Sequence, residues 1–113
     1  MKIDSYSFGS LVVDGKMYTS DVIIYPSRVD PSWWRKEGHR LQISDLTEVL
    51  YTKPQLLIVG TGYSGMMVVP KETENWIRSQ GIDIHVATTG RVVELFNAMQ
   101  DKKTVIAALH LTC

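Results

Sequence analysis

The sequence predicts an α/β domain of three layers: a central mixed β-sheet, flanking helices and a β-rich N-terminal addition. Short apolar runs broken by turn residues crowd the first quarter of the chain. Continuous apolar runs in the second half suit strands covered on both faces. Amphipathic helical stretches alternate with those runs, which is the pattern of a layered α/β arrangement. No repeat or linker divides the 113 residues, so residues 1–113 are expected to form one domain.

In chain order, Ser10–Val13 and Lys16–Tyr18 flank Asp14-Gly15, a pair that readily takes the positive φ angles of a tight hairpin turn. Asp21–Tyr25 is a further strand, stopped by Pro26, which has no amide proton for a ladder. Residues 26–40 read as irregular. Leu46, Val49 and Leu50 then recur at helical spacing behind Ser44 as the cap, with Pro54 ending the run. Leu56–Val59, Ile82–Val86 and Thr104–Leu109 are strands. Between them, the stretch near 71–80 has early Glu72 and Glu74, late Arg78 and a following Gly81, which complements a helix dipole and supplies a stop. The stretch near 91–100 carries Val92, Leu95, Phe96 and Met99 at i, i+3, i+4 and i+7, a stripe suited to packing on the sheet.

Composition narrows the function. Lys plus Arg number 12 and Asp plus Glu number 12, with no basic block, which argues against a general nucleic-acid or anionic-membrane binder. No apolar run is long enough to span a bilayer, and the first residues lack the apolar core of a secretory signal, so a cytoplasmic location is expected. Cys113 is the only cysteine, which excludes an internal disulfide and agrees with a reducing compartment.

Gly60-Thr61-Gly62-Tyr63-Ser64-Gly65 matches the G-x-G-x-x-G pattern of dinucleotide-binding proteins. That fingerprint needs a helix opening at its third glycine to hold the pyrophosphate, and an acid at the end of the next strand for the ribose. Here Met66-Met67-Val68-Val69-Pro70 follows instead, and the strand ends in Ala87-Thr88-Thr89 without an acid. Gly60 and Gly65 also have P-loop spacing, yet Met66 and Met67 stand where the Lys and Ser/Thr belong. The expected reading is a turn joining a strand to a second extended segment, a helix starting only at Pro70, and no cofactor.

No catalytic residues are assigned. A metal site would need His39, His85 and His110 to converge, since no paired ligands stand at metal spacing, and none is expected. Cys113 as a nucleophile would need His110 as its base, against the usual mobility of a chain end. The stretch Ser32–His39 is more informative, because two tryptophans on a loop must be buried against something or serve recognition; packing over the sheet is the plainer use. Gly60–Gly65 and Thr88-Thr89-Gly90 both follow strand ends. If those strands are adjacent and parallel, free amides of the two loops share one edge, where Arg35 or His39 folding over would make a small anion pocket. The candidate binding residues are therefore Trp34, Arg35, His39, Gly60, Thr61, Gly62 and Thr89.

Taken together, Ser7-Phe8-Gly9, Asp14-Gly15, Asp21-Val22, Trp34-Arg35, His39, Leu56–Gly62, Gly81-Ile82, Thr89, Phe96-Asn97 and His110–Cys113 resemble the Mth-domain family over nearly the whole chain. The resemblance implies a three-layer α/β domain with a central mixed sheet. It implies no enzymatic activity, cofactor or catalytic residue, and its eukaryotic members are associated with assembly or regulation through protein partners. Gly90 and Val92 depart from the Thr-Pro-x-Ala pattern expected at the last helix, which loosens any claim of a shaped ligand site there. Two hypotheses follow. The first is a non-catalytic domain that binds a protein partner as an assembly or accessory factor, using the Trp33-Trp34-Arg35 loop and the glycine edge. The alternative is a small-molecule protein or enzyme that holds an anionic ligand at the Gly60–Gly65 edge.

Overall fold

The computed structural model describes all of residues 1–113. The chain opens with an antiparallel three-stranded sheet of β1 (Ile3–Ser7), β2 (Ser10–Val13) and β3 (Lys16–Tyr18). Asp14 and Gly15 both take left-handed φ angles, 49° and 80°, so β2 and β3 are joined by the tight hairpin that their sequence predicts. β1 gives little apolar signal of its own, and pairing with β2 supplies what its side chains do not.

The second sheet mixes parallel and antiparallel pairs. Its members are β4 (Val22–Ile24), β5 (Val29–Asp30), β6 (Leu56–Thr61), β7 (Asp83–Ala87) and β8 (Val105–His110), in the spatial order β5-β4-β8-β6-β7. β6 runs parallel to both β7 and β8, and β4 is antiparallel to β8. The two-residue β5 lies in the stretch expected to be irregular, where it pairs with β4 beyond the turn at Pro26.

Three α-helices complete the chain: α1 (Thr47–Thr52), α2 (Lys71–Ser79) and α3 (Thr89–Met99). The expectation of Ser44 as a cap is corrected. Ser44 lies inside a 3-10 turn, Ile43–Leu46, that leads into α1, and the Asp45 carboxylate accepts the Gln42 amide at 2.9 Å. An acid at the third position of a turn can reach back to the orphan amide of the capping residue, here Gln42, while Ser44 lies inside the turn. α1 stops at Lys53, whose left-handed φ of 50° cannot continue a helix. α2 begins after Pro70, as its sequence predicts, and α3 begins at Thr89, two residues before the expected start.

Side-chain alternation divides the core between the two faces of the five-stranded sheet. Leu57 and Val59 of β6, with Ile106 and Ala108 of β8, meet Leu46, Val49, Met67 and Ile77 on one face. Leu56 and Ile58, with Val105, Ala107 and Leu109, meet Val92 and Phe96 of α3 and Ile3, Leu11 and Val13 of the N-terminal sheet on the other. Because both central strands are covered on both sides, all six residues of β6 and of β8 are buried, which explains their continuous apolar runs. The result is three layers, an α/β fold.

Candidate functional site

β6 and β7 are adjacent and parallel, so the glycine turn and the start of α3 do share one sheet edge. What fills that edge is the chain itself. The Gly62 amide donates to Thr89 Oγ1 at 2.9 Å, and that hydroxyl donates to the His110 carbonyl at 2.6 Å. Tyr63 N donates to Thr112 O, Met66 N to Cys113 O, Met67 N to Thr61 O and Gly65 N to Gly62 O. The Thr89 amide is taken by Gly62 O at 3.1 Å. These amides, expected to be free for an anion, therefore have acceptors within the chain, two of them on the segment that leaves β8.

The glycines fit this arrangement. A Cβ on Gly60 would stand 2.7 Å from Thr89 Oγ1 and 3.2 Å from Thr89 Cα, so glycine lets α3 close onto β6. On Gly62, with φ of 108°, it would stand 2.5 Å from both Thr112 O and the Cys113 carbonyl carbon. Gly65 takes φ of 76° in the turn itself. Glycines that resemble a cofactor fingerprint thus serve a close backbone approach, the other reason such a pattern arises. Beyond the turn Val68 is extended, bridging to Arg40, in keeping with the second extended segment expected there.

Arg35 does reach the edge, but as a buried ion. It lies over the Trp33 ring, 4.7 Å from its centroid, and its Nη1 stands 2.8 Å from Asp21 Oδ2. Its Nε and Nη2 donate to Gly38 O, at 3.3 and 2.9 Å. His110 Nδ1 lies 2.8 Å from the same Asp21 oxygen, and the Leu111 amide donates to Asp21 Oδ1 at 2.8 Å. The consistent assignment gives Nδ1 the proton, which it donates to Asp21, because Arg35 Nη2 already has Gly38 O as its acceptor. Nη2 then merely passes Nδ1 at 3.1 Å. Burial is the largest single influence on Asp21 and works against its charge. The bonds from His110, Leu111 and Arg35 outweigh it and hold the carboxyl below its usual range.

The remaining candidates divide. Thr61 is buried, its hydroxyl donating to Ala87 O, while His39 is exposed with its ring edge-on to His110, the centroids 5.8 Å apart. His85 is exposed on β7, and no three His, Cys, Asp or Glu side chains gather as metal ligands. Trp33 is buried, its indole donating to Asp45 O at 3.0 Å, whereas Trp34 is 76% exposed. The two tryptophans therefore split the readings offered for them, one packing and one open to recognition. The cavity in the molecule, about 360 Å³, lies away from the glycine turn, between Arg40–Ile43 and the start of α2.

Two features went unread in the sequence. Asp21 is the acid that gathers Arg35 and His110, and only its pairing position beside β8 brings it there. Phe8, Tyr63 and Met66, each more than half exposed, surround the segment after β8. Gly9 N donates to Leu111 O beside Phe8, and Tyr63 packs edge-on against Phe8 with centroids 5.8 Å apart. Tyr6 also leans on Tyr63 and donates its hydroxyl to Leu111 O at 2.8 Å. Burial pushes that phenol above its ordinary range, which keeps it a donor.

This arrangement defines an α/β protein with an internally filled sheet edge and an aromatic rim. The chain belongs to the family described as a protein of unknown function (DUF498/DUF598), whose model matches residues 3–110. A conserved hypothetical protein from Pyrococcus horikoshii OT3 is 28% identical over all of both chains, with a TM-score of 0.84. The protein MT938 is 26% identical, covering 99% of this chain and 98% of its own, with a TM-score of 0.82. A Bordetella pertussis protein described as a Mth938-like domain shares the fold at 16% identity, over 97% of this chain and 85% of its own, with a TM-score of 0.78. The resemblance to Mth-domain proteins read from the motifs holds.

Proposed function

We propose that this protein is a non-catalytic binding domain that acts as an accessory or assembly factor for another protein. The observation that carries this reading is the rim of Phe8, Tyr63 and Met66, three large exposed side chains at a place where the backbone amides of Gly9, Tyr63 and Met66 bond to the Leu111–Cys113 segment and Phe8 packs on Tyr63. Large apolar groups held in one geometry lose little entropy on docking, and aromatic residues and Met are enriched in protein interfaces. The partner we infer presents an apolar surface to this rim. Charge balance speaks against nucleic acid and against an anionic membrane. A cytoplasmic setting belongs to the same reading, supported by a single thiol that needs no oxidising compartment.

The anion-binding alternative loses two of its means of holding charge. The amides of Gly62, Tyr63, Gly65, Met66 and Thr89 have acceptors, and Arg35 is paired with Asp21 and Gly38 O. An NMR titration with phosphate is expected to leave the Gly62, Tyr63 and Thr89 amides unmoved; saturable shifts there would revive that alternative. For the partner itself, a photo-crosslinking amino acid placed at Met66 in the source cells should yield one discrete adduct that disappears when Phe8 and Tyr63 are both changed to Ser. Adducts unaffected by the double change would count against the rim.

A further inference from the structure

The cavity between Arg40–Ile43 and the start of α2 belongs neither to the rim nor to the glycine turn. At about 360 Å³ it lies at the lower end of the range that takes a small organic ligand. Leu41, Ile43, Pro70 and the partly exposed Trp76 supply its apolar wall, the last with a ring on which an apolar or aromatic group can lie. Three polar groups in the lining lack firm partners. Thr73 is only 6% exposed, yet its hydroxyl, unlike those of Thr47, Thr52, Thr61 and Thr89, donates to no acceptor within the chain. It is not sealed off either, so the surface it keeps opens on the cavity that Thr73 lines.

The other two groups carry opposite charges. Arg40 and Glu72 are both exposed, and their closest approach, 3.9 Å, is too long for a hydrogen bond. Arg40 also stands 4.0 Å from Glu37, whose carboxylate accepts from Gln42 Nε2. Exposed pairs this loose contribute little to stability, so both charges are available to a ligand at small cost. A ligand with a single charge would be drawn by one of them and repelled by the other. A ligand with both signs on one carbon satisfies both. From these residues we infer that the cavity binds a free α-amino acid with an apolar or aromatic side chain. Its carboxylate takes the Arg40 guanidinium, a fork of donors that suits it, together with the Thr73 hydroxyl. Its ammonium takes Glu72, and its side chain lies against Leu41, Pro70 and Trp76.

Selectivity follows from the same groups. A ligand that lacks one of the two charges leaves either Arg40 or Glu72 facing a wrong or missing partner inside an occupied cavity, which a site of this kind rejects. The cavity is separate from the Phe8–Tyr63–Met66 rim, so either proposal can fail without the other.

NMR titration of the isotope-labelled full chain with L-phenylalanine and with L-leucine, up to millimolar concentration, tests it. At least one of them should shift the Trp76 indole and the Gln42 and Thr73 amides saturably. The matching acid without the ammonium, and the matching amine without the carboxylate, should each bind at least about tenfold more weakly. Arg40 and Glu72 are exposed, so R40Q and E72Q should keep the wild-type circular dichroism while each weakens amino-acid binding about tenfold. R40Q should also lose the preference over the amine, and E72Q the preference over the acid, which a merely structural role would not produce. T73V should weaken binding and T73S retain it. No saturable shift with either amino acid, an acid or amine that binds as tightly as its parent, or an R40Q or E72Q that binds like the wild type would each overturn the proposal.

Discussion

Asp21 shows how one residue can decide a site. Its carboxylate receives Arg35, His110 and the Leu111 amide, and so ties the start of β4, the Trp33–Arg35 loop and the end of β8 together. Changing Asp21 to Asn leaves the Arg35 charge buried without its counter-ion, and a loss of about 3–5 kcal/mol in denaturant unfolding is expected. The pH dependence has a definite sign. Because the folded-state pKa of Asp21 is lowered, the unfolded chain binds its proton more readily, and stability falls as pH drops below about 4 and through the folded value. D21N should lack that part of the acid loss, so wild type and variant should converge in stability at low pH; parallel curves would show that Asp21 is not its source. Thr89 is a second such residue. T89V strands the Gly62 amide and the His110 carbonyl, which should cost about 1–3 kcal/mol in the same measurement, while T89S keeps both bonds and most of the stability.

At the scale of elements, the glycine turn between β6 and α2 has a structural use that its letters conceal. Gly62 lies against backbone atoms of Thr112 and Cys113, which cannot move aside as a side-chain tip would. G62A should therefore destabilise the protein by about 1–3 kcal/mol and, in NMR, perturb residues 110–113 before the sheet centre. α1 gives a test of opposite sign. Lys53 ends it with φ of 50°, a conformation that glycine accepts without a Cβ penalty, and K53G should raise stability by up to about 1 kcal/mol. The helices that are legible in the sequence are those whose own pattern carries them. α3 has its apolar stripe, and α2 its charge order. α1 is short and follows a 3-10 turn whose Asp45 carboxylate accepts both the Gln42 amide and the Lys36 amide from an earlier loop, so no local pattern marks its start.

For the whole molecule, the burial of β6 and β8 on both faces implies a gradient of stability. Native-state hydrogen exchange should find the slowest amides in these two strands, and the fastest strand amides in β3 and β5 at the sheet edges; uniform protection would contradict a core centred on them. The layered form also sets the rim and the cavity in different places. The aromatic rim follows the end of β8, while the cavity lies between Arg40–Ile43 and the start of α2.

The sequence alone determined the fold class, the β2–β3 hairpin, the central strands and the longer helices, because periodicity and turn chemistry act over a few neighbouring residues. It also counted against the cofactor reading of Gly60–Gly65, since that reading requires a helix and an acid at fixed local positions. Tertiary structure decided the rest. Asp21 is 14 residues before Arg35 in the chain and 89 before His110, yet β4 pairs beside β8 and closes the gap. Whether the edge amides were free depended on where residues 111–113 run, and which tryptophan faced solvent depended on Asp21 and Asp45 holding the residues to either side of it. Those are contacts between distant segments, which leave no periodic mark on the chain that makes them.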